Sequence, residues 1–174
     1  MTTTAVGPER YNASLLIERN LDAGRADKPA FKAVDGTITY DELRRQVNRA
    51  GGLLRELGVA REHRVLLVLD DTTVFPILFL GAMRIGAVPV PVSHLDKADN
   101  LRHFVEDSYA TVVAADAETL PRLRAALEGI PLRYLVRGGE GPDVVELDAG
   151  LVGPRMTTDV APCQSGNDRL LPSP

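Results

Sequence analysis

Short apolar runs alternate with helix-period segments along most of this chain. The apolar runs cover residues 64–69, 87–92, 111–115 and 132–136. Apolar residues recur at spacings of three and four over residues 73–85, 97–108 and 118–128. Strands that are apolar on both faces are typical of a parallel sheet covered by helices. This alternation with short connections predicts an α/β fold in three layers, with a mostly parallel sheet flanked by helices.

The residues before these runs predict a helix, a short N-terminal β-hairpin and a second helix. The first helix is expected within residues 12–24. Asp35 and Gly36 separate two β-rich runs, which is a strong signal for a two-residue hairpin turn. Thr39 followed by Glu42 is typical of a capping box at a helix start. The helix that follows places a set of apolar residues on one face: Leu43, Val47, Ala50, Leu54 and Leu57.

Residues 64–92 form the clearest strand–helix–strand unit. Thr72 or Thr73 can cap the helix of this unit with its side chain. Pro76 then falls in the first turn, where its missing N–H is of little consequence. Gly86 suits the left-handed residue that ends a helix. A last short strand is expected over residues 143–147, after a turn.

Composition narrows the classes of protein to which the chain can belong. Its 174 residues suffice for one domain with a real core, and its formal charge is −4. It has no tryptophan and no basic stripe, so we expect no nucleic acid partner. No apolar stretch approaches the roughly 20 residues of a membrane span, so no membrane partner is expected. One cysteine fits a reducing cytoplasm.

The same pattern predicts three segments. Residues 1–10 are expected to be a flexible leader and residues 11–151 an α/β domain. Residues 152–174 lack periodicity and are rich in Pro, Ser and Thr, which predicts a disordered tail.

Polar residues follow two of the predicted strands, where α/β sheets place ligands. Asp70 and Asp71 come after the first strand and can bind a metal or a hydroxyl group. They can equally be a turn that enters a helix, favoured by the helix dipole. His94, close to Asp96 and Lys97, can contact a phosphate or carboxylate, although a plain surface loop has the same composition.

Two further sets of residues can carry chemistry. Asp99, His103 and Asp107 recur every four residues and share one helix face. They can bind a metal or shuttle protons, but a solvated charged face has the same spacing. Cys163 lies in the predicted tail with no nearby histidine to activate it, which argues against a nucleophile.

Two motifs have a simpler structural interpretation. The glycine-rich cluster at residues 138–142 contains a proline and precedes a strand-like run. A dinucleotide loop needs a strand before it and a helix after it, so a turn is predicted instead. Phe75, Phe79 and Met83 recur every four residues, and the stripe that they form is expected to lie in the core.

From about residue 11 to residue 151 the chain resembles the adenylate-forming, AMP-binding ligases. This superfamily contains acyl- and aryl-CoA ligases, peptide-synthetase adenylation domains and luciferases. The resemblance is carried by the stretches RVLLVLDDTTVFPILFLGAMRIGAVPVPV, DKPAFKAVDGTITYDELRRQVNRAGGLLRELGVAREHRVLLVL and DNLRHFVEDSYATVVAAD. Residues 64–92 look most similar to the benzoate-CoA ligase branch. The resemblance implies an incomplete N-terminal portion of an adenylate-forming ligase fold.

The resemblance implies a two-step reaction for the complete enzyme. An aromatic or other carboxylic acid reacts with ATP to form an acyl-AMP with loss of pyrophosphate, and CoA then captures the acyl group; Mg is implied as well. The family's phosphate loop, [ST]SG[ST]TGxPK, and its catalytic lysine have no counterpart in this sequence. His63, Ser93 and His94 also depart from the family pattern. No catalytic, cofactor-binding or metal-binding residue is therefore assigned, and no cofactor is expected on this chain alone.

Three functions are consistent with these observations. The first is the N-terminal part of an ATP-dependent aryl- or acyl-CoA ligase, inactive by itself. The second is a free-standing, non-catalytic interaction module or a subunit of a split ligase, which would self-associate or bind another chain through exposed apolar surface. The third is an unrelated flavodoxin-like nucleotide binder, which has the right order of elements but no phosphate loop.

Overall fold

A computed structural model describes residues 12–152 of the chain. In chain order its elements are α1 (Leu15–Asp22), β1 (Pro29–Ala33), β2 (Gly36–Thr39), α2 (Tyr40–Glu56), β3 (Arg64–Val68), α3 (Val74–Arg84), β4 (Val88–Pro91), α4 (Ala98–Ser108), β5 (Val112–Asp116), α5 (Leu120–Ala126), β6 (Arg133–Arg137), β7 (Val144–Glu146) and α6 (Leu147–Val152).

Five strands form one parallel sheet in the order β4-β3-β5-β6-β7. Strand β3 has a neighbour on each side: its Val65 is aligned with Pro89 of β4 and with Val112 of β5. The chain therefore adds β4 on one side of β3 and the remaining strands on the other side. The α/β fold class predicted from the sequence is confirmed.

Helices cover both faces of this sheet, because successive β3 side chains enter two different cores. Val65 and Leu67 pack with α1, α2, α3 and α6, whereas Leu66 and Val68 pack with α4 and α5. All four side chains are fully buried. Burial on both faces explains why this strand reads as an unbroken apolar run, and it confirms the three-layer prediction.

The close approach of α2 and α3 fixes where α3 lies. A Cβ atom added to Gly81 would meet the Cβ of Ala50 at 2.8 Å and the backbone N of Gly51 at 3.2 Å. Only glycine permits this helix spacing. Helix α2 itself begins as predicted, with a capping box in which Thr39 and Glu42 bond each other's backbone N–H.

The β1–β2 hairpin forms antiparallel as predicted, but its turn residues are Val34 and Asp35 rather than Asp35 and Gly36, since Gly36 is paired with Ala33. Gly86 has φ +81° after α3, as expected of a left-handed helix end. Tyr109 takes the same left-handed conformation after α4, with φ +54°, although its side chain is 84% exposed. A non-glycine residue in this region carries backbone strain.

The predicted helix cap at the start of α3 is only partly right. Thr73 does occupy the position before the helix, and Pro76 lies in the first turn. The Thr73 side chain makes no capping bond, because its hydroxyl donates to Asp35 of the hairpin instead. The bond to Asp35, 38 residues earlier in the sequence, thus replaces the local bond to the helix backbone.

Two of the predicted segments fall largely outside the described residues. These are the leader, residues 1–10, and the tail from residue 153 onward. Residue 152, which was placed in the tail, is the last residue of α6. Among residues 12–152, no helix is both long enough and apolar enough to cross a membrane.

Candidate functional site

The carboxyl ends of the five parallel strands meet at one edge of the sheet. The chain places β4 on one side of β3 and then β5 on the other side, so the strand order reverses at β3. The ends of β3 and β5 therefore flank the topological switch point. Open α/β sheets bind ligands in the crevice at this place. The residues found there are Asp70, which follows β3, and Asp116, which ends β5.

Asp116 closes the crevice between β3 and β5. Its side chain is 11% exposed, and its Oδ2 accepts a 2.9 Å hydrogen bond from the backbone N–H of Asp70. The other oxygen, Oδ1, lies 2.8 Å from Nε of Arg137, at the end of β6. The carboxylate thus links the end of β5 to the ends of both neighbouring strands, β3 and β6.

The hairpin supplies a second carboxylate to the same edge. Asp35 accepts a 2.9 Å hydrogen bond from the Thr73 backbone N–H and a 3.0 Å bond from the Thr73 hydroxyl. It also lies 3.6 Å from Nη1 of Arg137. Burial acts to raise the pKa of Asp35, but the Thr73 hydrogen bonds and the Arg137 charge outweigh it and hold this pKa below its ordinary value of 3.8.

Asp35 lies at the start of α3, a kind of position that can hold an anion. The N-terminus of a helix that follows a strand attracts anions through its free N–H groups and its dipole. At α3 the carboxylate of Asp35 bonds Thr73, the residue that precedes the helix. We call the contacts of Asp35 and Asp116, which link the hairpin, α3 and the strand ends, the latch.

Two of the candidate residues identified from the sequence, Asp70 and His94, lie in contact at this edge of the sheet. Nδ1 of His94 lies 3.0 Å from Oδ1 of Asp70, and both side chains are about half exposed. The backbone carbonyl of His94 accepts a hydrogen bond from the guanidinium of Arg122. The His94 side chain, predicted to contact an external anion, thus contacts a carboxylate of the chain itself. Asp71 points elsewhere and lines a groove described below.

A second carboxyl group near this edge has a pKa shifted in the opposite direction from that of Asp35. Burial raises the pKa of Asp148, at the start of α6, and the charges of Glu146 and Asp116 raise it further. Arg137 acts in the opposite direction but does not cancel the effect. Sequence reasoning missed Asp116 and Arg137, although each directly ends an apolar strand and could have been found by that position.

The other candidates lie away from this edge or outside the described residues. Asp99, His103 and Asp107 lie on one exposed face of α4. Among the described residues, no group of three or more His, Cys, Asp or Glu side chains is placed to hold a metal ion. The cluster at residues 138–142 is a turn before β7. Cys163 lies outside the described residues.

An apolar groove lies between the hairpin and α3, beside the latch. It encloses about 400 Å³ and is lined chiefly by Phe31, Phe75, Pro76, Phe79 and Leu80; we call it the Phe groove. Phe75 and Phe79 are half-buried and pack against the core, so the prediction that their stripe lies in the core is confirmed in part. Their rings stack at 6.0 Å between centroids and also form one wall of the groove.

Comparison with known proteins gives a consistent result. The family model described as "AMP-binding enzyme" matches residues 17–150. The chain is 43% identical over 134 residues to a 4-hydroxybenzoate–CoA/benzoate–CoA ligase of Rhodopseudomonas palustris, covering 76% of this chain and 25% of the relative. It is 42% identical over 140 residues to the benzoate–CoA ligase of Thauera aromatica, covering 78% and 27%. The chain thus spans about a quarter of the length of these curated relatives.

Solved structures of similar proteins agree with the fold. The anthranilate CoA ligase AuaEII, in complex with anthranoyl-AMP, aligns with a TM-score of 0.81 at 29% identity. The benzoate CoA ligase from Burkholderia xenovorans LB400 aligns with a TM-score of 0.73, also at 29% identity. Each alignment covers 91% of this chain and 30% of the solved chain.

Proposed function

The chain belongs to the family of AMP-binding enzymes, and we propose that it is the N-terminal part of an ATP-dependent aryl-CoA ligase. The observation that carries this proposal is the 43% identity to a ligase of 4-hydroxybenzoate and benzoate, maintained over 134 residues. The resemblance noted in residues 64–92 points to the same branch of the family. Residues 11–151 are proposed to form one α/β unit of that enzyme.

The reaction proposed for the complete enzyme has two steps. A carboxylate oxygen of the aromatic acid attacks the α-phosphorus of ATP, which releases pyrophosphate and leaves an aryl-AMP. The sulfur of CoA then attacks the carbonyl carbon of this anhydride, and AMP leaves as the thioester forms. The acid, ATP, Mg and CoA are accordingly the proposed substrates and cofactors of the complete enzyme.

The described residues contribute a scaffold to this reaction rather than its reacting groups. Asp35 fills the N-terminus of α3, and Asp116 closes the crevice between β3 and β5. These carboxylates take up N–H groups at two places where a phosphate could otherwise bind. We therefore propose that the chain is inactive until the remaining polypeptide of the ligase fold joins it.

Complementation tests the proposal directly. The chain is co-expressed with the part of the Thauera aromatica benzoate–CoA ligase that lies outside its match to this chain. The purified proteins are supplied with benzoate, ATP and CoA, and benzoyl-CoA and AMP are quantified by liquid chromatography. We expect thioester from the combination and none from either part alone. Turnover by the chain alone, or none by a complex of the two parts, would contradict the proposal.

A second candidate function is favoured by the Phe groove. A free-standing, non-catalytic interaction module would use such an exposed apolar surface to bind itself or another chain. This alternative and the ligase proposal differ in one readout. An interaction module binds its partner without forming thioester, whereas a ligase part gives both binding and thioester.

The proposed cellular location is the cytoplasm of a bacterium. The single cysteine, Cys163, fits a reducing compartment. Reporter fusion and fractionation of the native host would test the location, and recovery of the protein from an extracytoplasmic fraction would contradict it.

A further inference from the structure

A cleft lies at the amino ends of the parallel strands, on the opposite edge of the sheet from the switch point. It encloses about 470 Å³ between the end of α2 and the residues that precede or begin β3, β5, β6 and β7; we call it the amino-edge cleft. Cavities of this size are typical of small-molecule sites. Its apolar lining includes Leu57 and Leu132, and its polar lining consists of His63, Thr111, Arg133 and Asp143.

The two basic side chains of this cleft are unpaired among residues 12–152. Most arginines in this part of the chain bond a carboxylate or a carbonyl, as Arg137 does with Asp116. The guanidinium of Arg133 and the ring of His63 make no such bond to a described residue. A guanidinium presents paired N–H donors that match the two oxygens of a carboxylate. Arg133 is therefore available to an acidic ligand.

Asp143 brings a carboxylate to the same cleft. Arg133 begins β6, and Asp143 directly precedes β7, the neighbouring strand. Within the described part of the chain these two side chains form no ion pair, although their strands are adjacent. A cleft lined by a free guanidinium and a separate carboxylate fits a ligand that has an acid group and a hydrogen-bond donor. The leucines of the lining fit an apolar body between the two.

The backbone around the cleft is fixed before a ligand binds. The Arg133 N–H donates to the carbonyl of Thr111 at 3.1 Å, and the Tyr134 N–H donates to the carbonyl of Asp143 at 3.0 Å. These bonds join the starts of β5, β6 and β7. The carbonyl of His63 accepts a 2.8 Å bond from the first residue of β4. A preformed site loses little conformational entropy on binding, which favours association.

Two residues at this edge hold a left-handed backbone conformation. Glu62, which precedes His63, has φ +63°, and Asp143 has φ +60°. Residues other than glycine adopt this conformation at an energetic cost. Strain of this kind is concentrated at ligand-binding and active sites. Here both strained positions lie in the cleft or next to a residue that lines it.

We propose that the amino-edge cleft binds a small organic acid that carries an apolar body and a hydrogen-bond donor. Arg133 holds the acid group, with His63 beside it, and Asp143 accepts the hydrogen bond from the donor. The compound 4-hydroxybenzoate has all three features and serves as the probe. This inference goes beyond the proposed function, because the site lies on the opposite edge of the sheet from the switch point and belongs to this chain alone.

Titration of the isotope-labelled full chain with 4-hydroxybenzoate, followed by proton–nitrogen correlation spectra, tests the site. We expect saturable shifts at the backbone amides of Thr111, Leu132 and Arg133. Arg133→Gln should raise the Kd about tenfold or more, because it removes hydrogen bonds to a charged group. Lys28→Gln, which removes a positive charge from an exposed loop before β1, is the matched control and should keep the Kd within about twofold.

Related probes test the two polar ends of the ligand separately. Benzoate lacks the donor and phenol lacks the acid group, so both should bind more weakly than 4-hydroxybenzoate. Asp143→Asn should abolish most of the preference for 4-hydroxybenzoate over benzoate. An unchanged preference in Asp143→Asn would show that this carboxylate does not receive the hydroxyl group, contrary to the proposal.

The remaining outcomes decide whether the site exists. The inference is overturned if no saturable shift occurs up to about 10 mM ligand, or if the shifts fall at Asp70 and His94 on the other edge of the sheet. An unaltered Kd in Arg133→Gln overturns it as well. Circular dichroism shows whether each variant is folded, and His63→Gln, expected to weaken binding about threefold, tests the same site through a second exposed residue.

Discussion

Replacing Asp35 with alanine is expected to destabilise the fold by releasing the hairpin from α3. The change removes the 2.9 and 3.0 Å hydrogen bonds from Thr73 and the 3.6 Å approach of Arg137. Hydrogen bonds to charged groups contribute about 1.5–3 kcal/mol each, and surface ion pairs at most about 1 kcal/mol. Since 30% of the Asp35 side chain stays in contact with water, we expect a loss of about 1–2 kcal/mol in the free energy of unfolding.

The contribution of Asp35 is also expected to depend on pH. The pKa of Asp35 is lower in the folded chain than its ordinary 3.8, so the unfolded chain binds the proton more tightly. Its stabilisation is therefore fully present above the ordinary pKa and is lost as the pH falls through the folded pKa. The difference in stability between wild type and Asp35→Ala should shrink as the pH falls below about 5 and continue to shrink through the folded pKa.

Urea unfolding followed by far-ultraviolet circular dichroism measures both effects. Asp27→Ala, which removes an exposed carboxylate from the preceding loop, serves as the matched control and should change stability by less than about 0.5 kcal/mol. Asp35→Asn keeps an acceptor oxygen but not the charge, and should fall between the wild type and Asp35→Ala. The reasoning is refuted if Asp35→Ala is as stable as the wild type at neutral pH, or if the difference grows in acid.

Three further substitutions are checked by the same unfolding measurement. Gly81→Ala should lose about 1–2 kcal/mol, because its Cβ would meet that of Ala50 at 2.8 Å; overpacking outweighs the gain in helix propensity, and adding Ala50→Gly should recover part of the loss. Thr39→Ala should lose about 1 kcal/mol by removing the α2 capping box, while Thr39→Ser should lose much less. Tyr109→Gly should gain up to about 1 kcal/mol by relieving a φ of +54°, and a loss would contradict the assigned strain.

Local chemistry accounts for the parts of the fold that were predicted correctly. The hairpin, whose turn lies one residue before the predicted Asp35 and Gly36, the capping box of Thr39 and Glu42, and the left-handed Gly86 each depend on residues within a few positions of one another. The apolar runs identified the strands because burial on both faces forbids polar residues there. Fold class follows from the alternation of these elements.

The structure differs from the sequence predictions where a residue's partner is distant in the sequence. Thr73 has the side chain of a helix cap, but its hydroxyl donates to Asp35, 38 residues earlier. Phe75 and Phe79 have core spacing and pack against the core, yet their rings also line a groove shared with the hairpin. In both cases the sequence pattern identifies the helix and the residues on one of its faces, but it does not show which distant residues contact that face.

By itself, the sequence determined which segments become strands and helices, the class of fold and the resemblance to the AMP-binding enzymes, because these depend on local propensity and on burial patterns. Only the tertiary structure decided that Asp116 bonds Asp70 across the switch point and that Asp35 occupies the α3 N-terminus. Those contacts depend on the strand order β4-β3-β5-β6-β7 and on where the hairpin lies. Such positions are set by how distant elements pack together, and no local pattern encodes them.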